Sequence, residues 1–191
     1  MGYAVSGASA LLIFFILPLW IAAGLADYFC HRVTRIETTS GVGESILHLL
    51  QFGLVGLPVT AALFLDSNAG FFLGAVILLV LHHAVAAVDL VYANPRRHVA
   101  PREQMVHSFL EIMPLTALVL LAVIHWPQFL SLFGAGNERA IFTPTIRVLP
   151  APLIAAVLGA ATVFNFLPYV EELWRCARHT TGDHEQDGSR G

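Results

Sequence analysis

Apolar residues along the chain gather into five long runs separated by short polar breaks. A helix needs about 20 apolar residues to cross a hydrocarbon core of about 30 Å. Runs of that length cover 8–26, 46–65, 69–92, 105–126 and 148–170. The breaks have turn chemistry: Thr38-Thr39-Ser40-Gly41, Asp66-Ser67-Asn68, Asn94-Pro95 with Pro101, and the longer stretch 127–147. The pattern predicts an all-α integral membrane protein, a bundle of five transmembrane helices over 1–179, with a disordered polar tail at 180–191 that is too rich in Gly, Asp, Glu and Ser to bury a core. The first run has no basic start and no small-x-small exit before Asp27, so it reads as a helix rather than a cleaved leader, kinked at Pro18. The segment from Pro127 to Phe133 is too short to cross and reads as interfacial or re-entrant.

Composition strengthens this picture. Hydrophobic residues make up 57% of the 191 positions and charged residues 12%, against about 25% charged in globular domains. That excludes a soluble domain, and two cysteines exclude a disulfide scaffold. A net charge of -3, without a basic cluster free of the membrane, argues against nucleic acid as a partner. All ten basic residues are arginines. Arg32, Arg35, Arg96, Arg97, Arg102, Arg175 and Arg178 fall on one side of five alternating spans, and Arg139 and Arg147 on the other. The positive-inside bias then predicts an outside N-terminus, a cytoplasmic C-terminus and a multi-pass protein of the bacterial inner (plasma) membrane. Tyr28, Tyr92, Tyr169 and Trp174 lie where an aromatic belt on the cytoplasmic face would fall, and Cys30 and Cys176 share that reducing side.

Folding the spans back and forth collects the histidines and acids at the cytoplasmic end. Residues four apart share a helix face. Asp27 with His31, Glu44 with His48, and Glu103 with His107 and Glu111 obey that spacing, while His82 and Asp89, seven apart, share a face as well. His48, Asp89 and His107 should lie about one turn inside the helix ends, and His82, His83 and Glu111 about two turns in. Ionisable side chains at such depth cost roughly 2.5 to 3.5 kcal/mol each unless paired or hydrated, which points to a functional layer.

Carboxylates and imidazoles on facing helices are the means by which bundles hold pairs of iron or manganese ions. The expected ligand set is His48, His82 or His83, and His107 as nitrogen donors, with Glu44, Glu103 and Glu111 bridging or capping, Asp27 and Asp89 orienting imidazoles, and His31 joining Asp27 on its stripe. Two iron ions are the first expectation; zinc, manganese and haem are the alternatives. In soluble di-iron carboxylate proteins the Glu and His are three apart, whereas here they are four apart. The general layout resembles that of the membrane desaturases and hydroxylases, which place ligands at the cytoplasmic ends of their helices. Their box of His, two spacers and His-His is absent, and His82-His83 stands without its partner. Bound iron would imply O₂-dependent oxidation of a lipid-like substrate, with electrons from an external donor because no nucleotide-binding motif occurs. Arg96, Arg97 and Arg102, with His98, would hold an anionic group just outside the layer.

Two other function classes fit the same residues. His48, His83 and His107 lie at similar depth and so offer axial ligands for a haem electron carrier, although Glu44, Glu103 and Glu111 crowd such a pocket. A chain of His and acid groups also suits a proton or metal-ion transporter, for which the outer halves of the helices provide few polar residues. Neither His-Glu-x-x-His nor Gly-x-Ser-x-Gly occurs, which argues against a hydrolase. Plainer roles compete at single positions. His31, His98, Glu171 and Glu172 read as interfacial groups reaching water, as does His125; Glu44 and Glu103 suit the helix dipole. Gly53, Gly56 and Gly159 form small faces for close helix contact.

Overall fold

In a computed structural model, the structure describes residues 2–147 and 149–188, with side chains over 5–147 and 149–181. Its described residues are mostly helical and include no strand. Five helices are long and apolar enough to cross a membrane: α1 (Val5–Thr34), α2 (Gly41–Phe64), α3 (Ala69–Ala93), α4 (Pro101–Ile124) and, after the short α5 (Trp126–Ser131), α6 (Ala151–Thr181). The expected fifth span began at Val148, which lies outside the described residues. The backbone beyond Thr180, expected as a disordered tail, continues as helix to Gly188; side chains after Thr181 and residues 189–191 lie outside the described residues.

The helices close into a ring, in which α1 packs on α4 and α6, α2 on α3 and α6, and α3 on α4. Their outward faces are apolar, with Phe14, Leu57, Val80, Val91 and Met105 exposed. The most buried side chains include His31, Glu44, Ser45, Glu103 and Glu172, each with no accessible surface. Apolar outside and polar inside is the inversion expected where lipid is the solvent.

Two helices share an irregular turn. Leu12–Ile16 in α1 and Thr162–Phe166 in α6 are π-helical, and each is followed by Leu-Pro. Proline donates no backbone hydrogen bond, so α1 meets Pro18 by widening: Leu17 N–H donates to Leu12 O, five residues back, as Leu167 does to Thr162 in α6. The π turn of α6 carries Asn165, whose Nδ2 donates to Ile21 O of α1 at 3.1 Å. Gly24 makes that approach possible, since a Cβ there would lie 2.0 Å from Asn165 Nδ2. Gly43 does the same beneath Tyr92, where a Cβ would meet the hydroxyl at 2.1 Å. Gly70 is packed as closely, since a Cβ there would lie 2.7 Å from Phe142 O; at Gly53 and Gly159 a Cβ would meet nothing within 4 Å.

Candidate metal centre

Each helix delivers its polar side chains to one end of the ring. From α1 come Asp27 and His31, from α2 Glu44, Ser45 and His48, from α3 Asp89, from α4 Glu103 and His107, and from α6 Tyr169 and Glu172. All but His107 are buried, and His107 is nearly so. Arg97, from the connection between α3 and α4, closes the top by donating to Glu44 and Glu103.

Glu172 organises the middle. One of its carboxylate oxygens accepts from His31 Nδ1 at 3.0 Å, and the other accepts from His48 Nδ1 at 2.9 Å and from the Ser45 hydroxyl at 2.8 Å. The two imidazoles stack in parallel, 5° between planes and 4.3 Å between centroids. With Nδ1 donating, the neutral tautomer of each ring carries its lone pair on Nε2. Both Nε2 atoms are buried and without a hydrogen-bond partner, as are Asp27 Oδ1, Asp89 Oδ1 and Glu103 Oε2. His31 Nε2 faces Asp27 Oδ1 at 3.5 Å and Glu103 Oε1 at 3.3 Å. His48 Nε2 faces Asp89 Oδ2 at 3.3 Å and Glu44 Oε1 at 3.8 Å. His107 Nε2 adds a contact of 2.9 Å to Asp27 Oδ1.

Lone pairs that face carboxylate oxygens repel unless a cation, either a proton or a metal ion, lies between them. Metal–ligand bonds of about 2.0 to 2.2 Å set neighbouring ligand atoms about 3 to 3.5 Å apart around one ion. The observed separations run from 2.9 to 3.8 Å. Among the described residues two groups bring ligand atoms within 4.8 Å of one another: Asp27, His31 and His107, and His31, Glu44 and His48. Each is close enough to hold one ion. His31 belongs to both groups, but its one Nε2 lone pair serves a single ion, so the groups form adjoining positions rather than independent ones.

The sequence-predicted ligands therefore separate into two levels. Asp27, His31, Glu44, His48, Asp89, Glu103 and His107 come together. His82, His83 and Glu111 stand one to two turns deeper: His82 is buried with neither ring nitrogen hydrogen-bonded, His83 Nδ1 donates to Leu79 O of its own helix at 2.9 Å, and the partly buried Glu111 lines, with His82, the small chamber that opens from the cluster. Of the expected anion-binding arginines, Arg96 is exposed and stacked on Tyr92, and Arg102 is exposed. Arg97 is buried and committed to two carboxylates of this chain. Burial alone would favour its neutral form, but the bonds to Glu44 and Glu103 outweigh that and hold its pKa above the ordinary guanidinium value.

Two residues read as interfacial are interior. His31 and Glu172 are completely buried because α1 and α6 face each other at this level. Their neighbours Arg32 and Glu171 form the rim instead, paired at 2.7 Å, with Tyr28 donating to Glu171 at 2.8 Å. A signal for Glu172 exists in the sequence. Asn165, Tyr169, Glu172 and Cys176 recur at helical spacing along one face of α6, and all four are buried. Against protein-family models, curated proteins and solved structures, the chain matches none.

Proposed function

We propose that this chain is a membrane metalloprotein whose buried His/carboxylate layer holds two divalent cations. The observation that carries the reading is the Glu172 clamp: one carboxylate fixes both His31 and His48 through Nδ1 and aims both Nε2 atoms at carboxylate oxygens. A carboxylate behind a ligating imidazole is the usual means of setting its tautomer and orientation. Charge supports two ions. Asp27, Glu44, Asp89, Glu103 and Glu172 are buried against the single guanidinium of Arg97, which leaves four negative charges, the amount two divalent cations neutralise.

The donors are imidazole nitrogen and carboxylate oxygen, a set suited to iron and manganese. Iron would supply O₂ chemistry at a layer that adjoins an apolar interior, so the reading continues to an oxidoreductase acting on a lipid-like substrate. In a hydroxylation, one oxygen atom of O₂ enters a C–H bond to give an alcohol. The other leaves as water, with two electrons from an external one-electron donor and two protons. The same placement, with the arginine-rich ends of α1 and α6 at the site, supports a cytoplasmic centre and an outside N-terminus. A haem is less well supported, because His31 and His48 stack 4.3 Å apart with no slot between them and His83 turns toward its own backbone.

Metal analysis and a visible spectrum of the detergent-purified chain test the reading. About two irons per chain and no Soret band are expected. His107→Ala should lose metal and His125→Ala should keep it. A Soret band, or a metal-free protein from anaerobic preparation, overturns the proposal.

A further inference from the structure

Below the polar cluster the ring encloses a second, larger space. The chamber at the cluster has a volume of about 50 Å³; the one beneath it has about 230 Å³ and an almost wholly apolar lining. Trp20 and Val55 belong to the walls of both. From Trp20 the larger chamber follows α1 as far as Ser9 and α4 from Met113 to His125, about 16 to 18 Å at 1.5 Å per residue. It is therefore an elongated slot along the bundle axis. One end abuts the metal-centre candidate and the other lies at the opposite face of the membrane.

The far mouth carries a cation. Arg147 lines it, is partly buried, and makes no ion pair among the described residues. His125 lines the same mouth, with its pKa pushed below the ordinary imidazole value by burial and by Arg147. Asp66 acts on His125 in the opposite sense but is the weaker influence. The mouth thus presents a guanidinium in no ion pair among the described residues, with the Asp66 carboxylate farther off, and the slot behind it is almost wholly apolar to the Trp20–Val55 wall. Arginine without an acid partner beside an apolar slot recognises an amphiphile with an anionic head.

We infer that this chamber seats a single long unbranched aliphatic chain with its anionic head on Arg147 and its distal end against Trp20 and Val55. The inference rests on the metal-centre reading only in making that distal end the part presented for oxidation; the seating itself stands on the cavity and Arg147. A substrate so placed is modified far from its head group. Trp20, buried at the partition, measures how far the chain reaches.

Brominated stearic acids provide the test, since bromine quenches a nearby indole. The exposed Trp126 and Trp174 are first replaced by Phe, which leaves Trp20 as the sole tryptophan of the full chain. Bromine near the methyl end should quench Trp20 saturably and at least twofold more than bromine beside the carboxylate. Ala117→Phe, which fills the slot, should abolish the difference, and Arg147→Gln should weaken binding about tenfold. The corresponding brominated phosphatidylglycerol distinguishes a lipid acyl chain from a free acid; saturable, graded quenching by either supports the seating. Quenching that is independent of bromine position, strongest near the head, undiminished in Ala117→Phe, or equal for the neutral methyl ester overturns it. Metal content is measured on the same samples, and quenching is repeated after chelation. Loss of graded quenching with metal retained defeats this inference alone, whereas absent metal with graded quenching defeats the metal-centre reading alone.

Discussion

The two halves of the bundle interior are built on opposite terms. At one end every spanning helix contributes at least one buried polar residue, and these residues are held by specific hydrogen bonds and ion pairs. At the other end the lining around about 230 Å³ of open space is mostly aliphatic and aromatic, with His125 and Arg147 at its mouth. The polar half is determined by pairing, so removing one group strands its partners. The apolar half is determined by shape, and its side chains tolerate volume-conserving change. The core cluster Ile16, Trp20, Val55 and Met113 lies at the border between them.

Substitutions should expose that contrast, starting with the largest effect. Arg97→Ala strands Glu44 and Glu103 as buried, uncompensated carboxylates, a change that costs about 3 to 5 kcal/mol. A large fall in thermal unfolding temperature is expected, together with reduced metal content, whereas Arg96→Ala should change neither. Glu172→Gln comes next. An amide keeps one acceptor oxygen but replaces the other with a donor, so it can serve only one of the two Nδ1–H groups. Metal affinity measured by competition with a chelator should fall about 10- to 100-fold, the range for losing a carboxylate behind a ligating histidine. Gly24→Ala pushes a methyl into Asn165 and should lower stability by about 1 to 3 kcal/mol with metal stoichiometry retained. In the apolar half, Leu118→Met should leave thermal stability within about 1.5 kcal/mol and metal content unchanged. If that variant sheds metal, the two halves are not independent.

The five spans were legible in the sequence, but their ends at the site were not. At the end away from the site the expected boundaries 65, 69 and 126 match the ends of α2, α3 and α4 at Phe64, Ala69 and Ile124 closely. At the site end the helices overrun. The first was expected to stop at 26 and reaches Thr34; the second begins at Gly41 rather than 46, the fourth at Pro101 rather than 105, and the last continues past 170 to Thr181. The reason is physical. A hydropathy run ends where charge begins, and in this bundle the charged turns are folded inward. Asp27, His31, Glu44, Glu103 and Glu172 all lie in those extra turns. Helical spacing within each helix identified most of the cluster. Spacing could not show which helices are neighbours, so it could not separate the deeper His82 and Glu111 from the expected ligand set or reveal that Arg97 turns inward.

The paired π turns before Pro18 and Pro168 carry a consequence for how the chain tolerates changes in length. A π turn holds one residue more than the α-helical turn it replaces, and one residue is about 100° of rotation. Leu12–Ile16 on α1 and Thr162–Phe166 on α6 each absorb that extra residue. Deleting one residue from either turn should therefore restore a regular helix with Asp27 and His31, or Tyr169 and Glu172, still facing the bundle axis, whereas deleting one from the regular helix between the turn and the site should swing them by about 100°. The two widened turns thus give the bundle a place where a change of chain length is taken up before it reaches the polar centre.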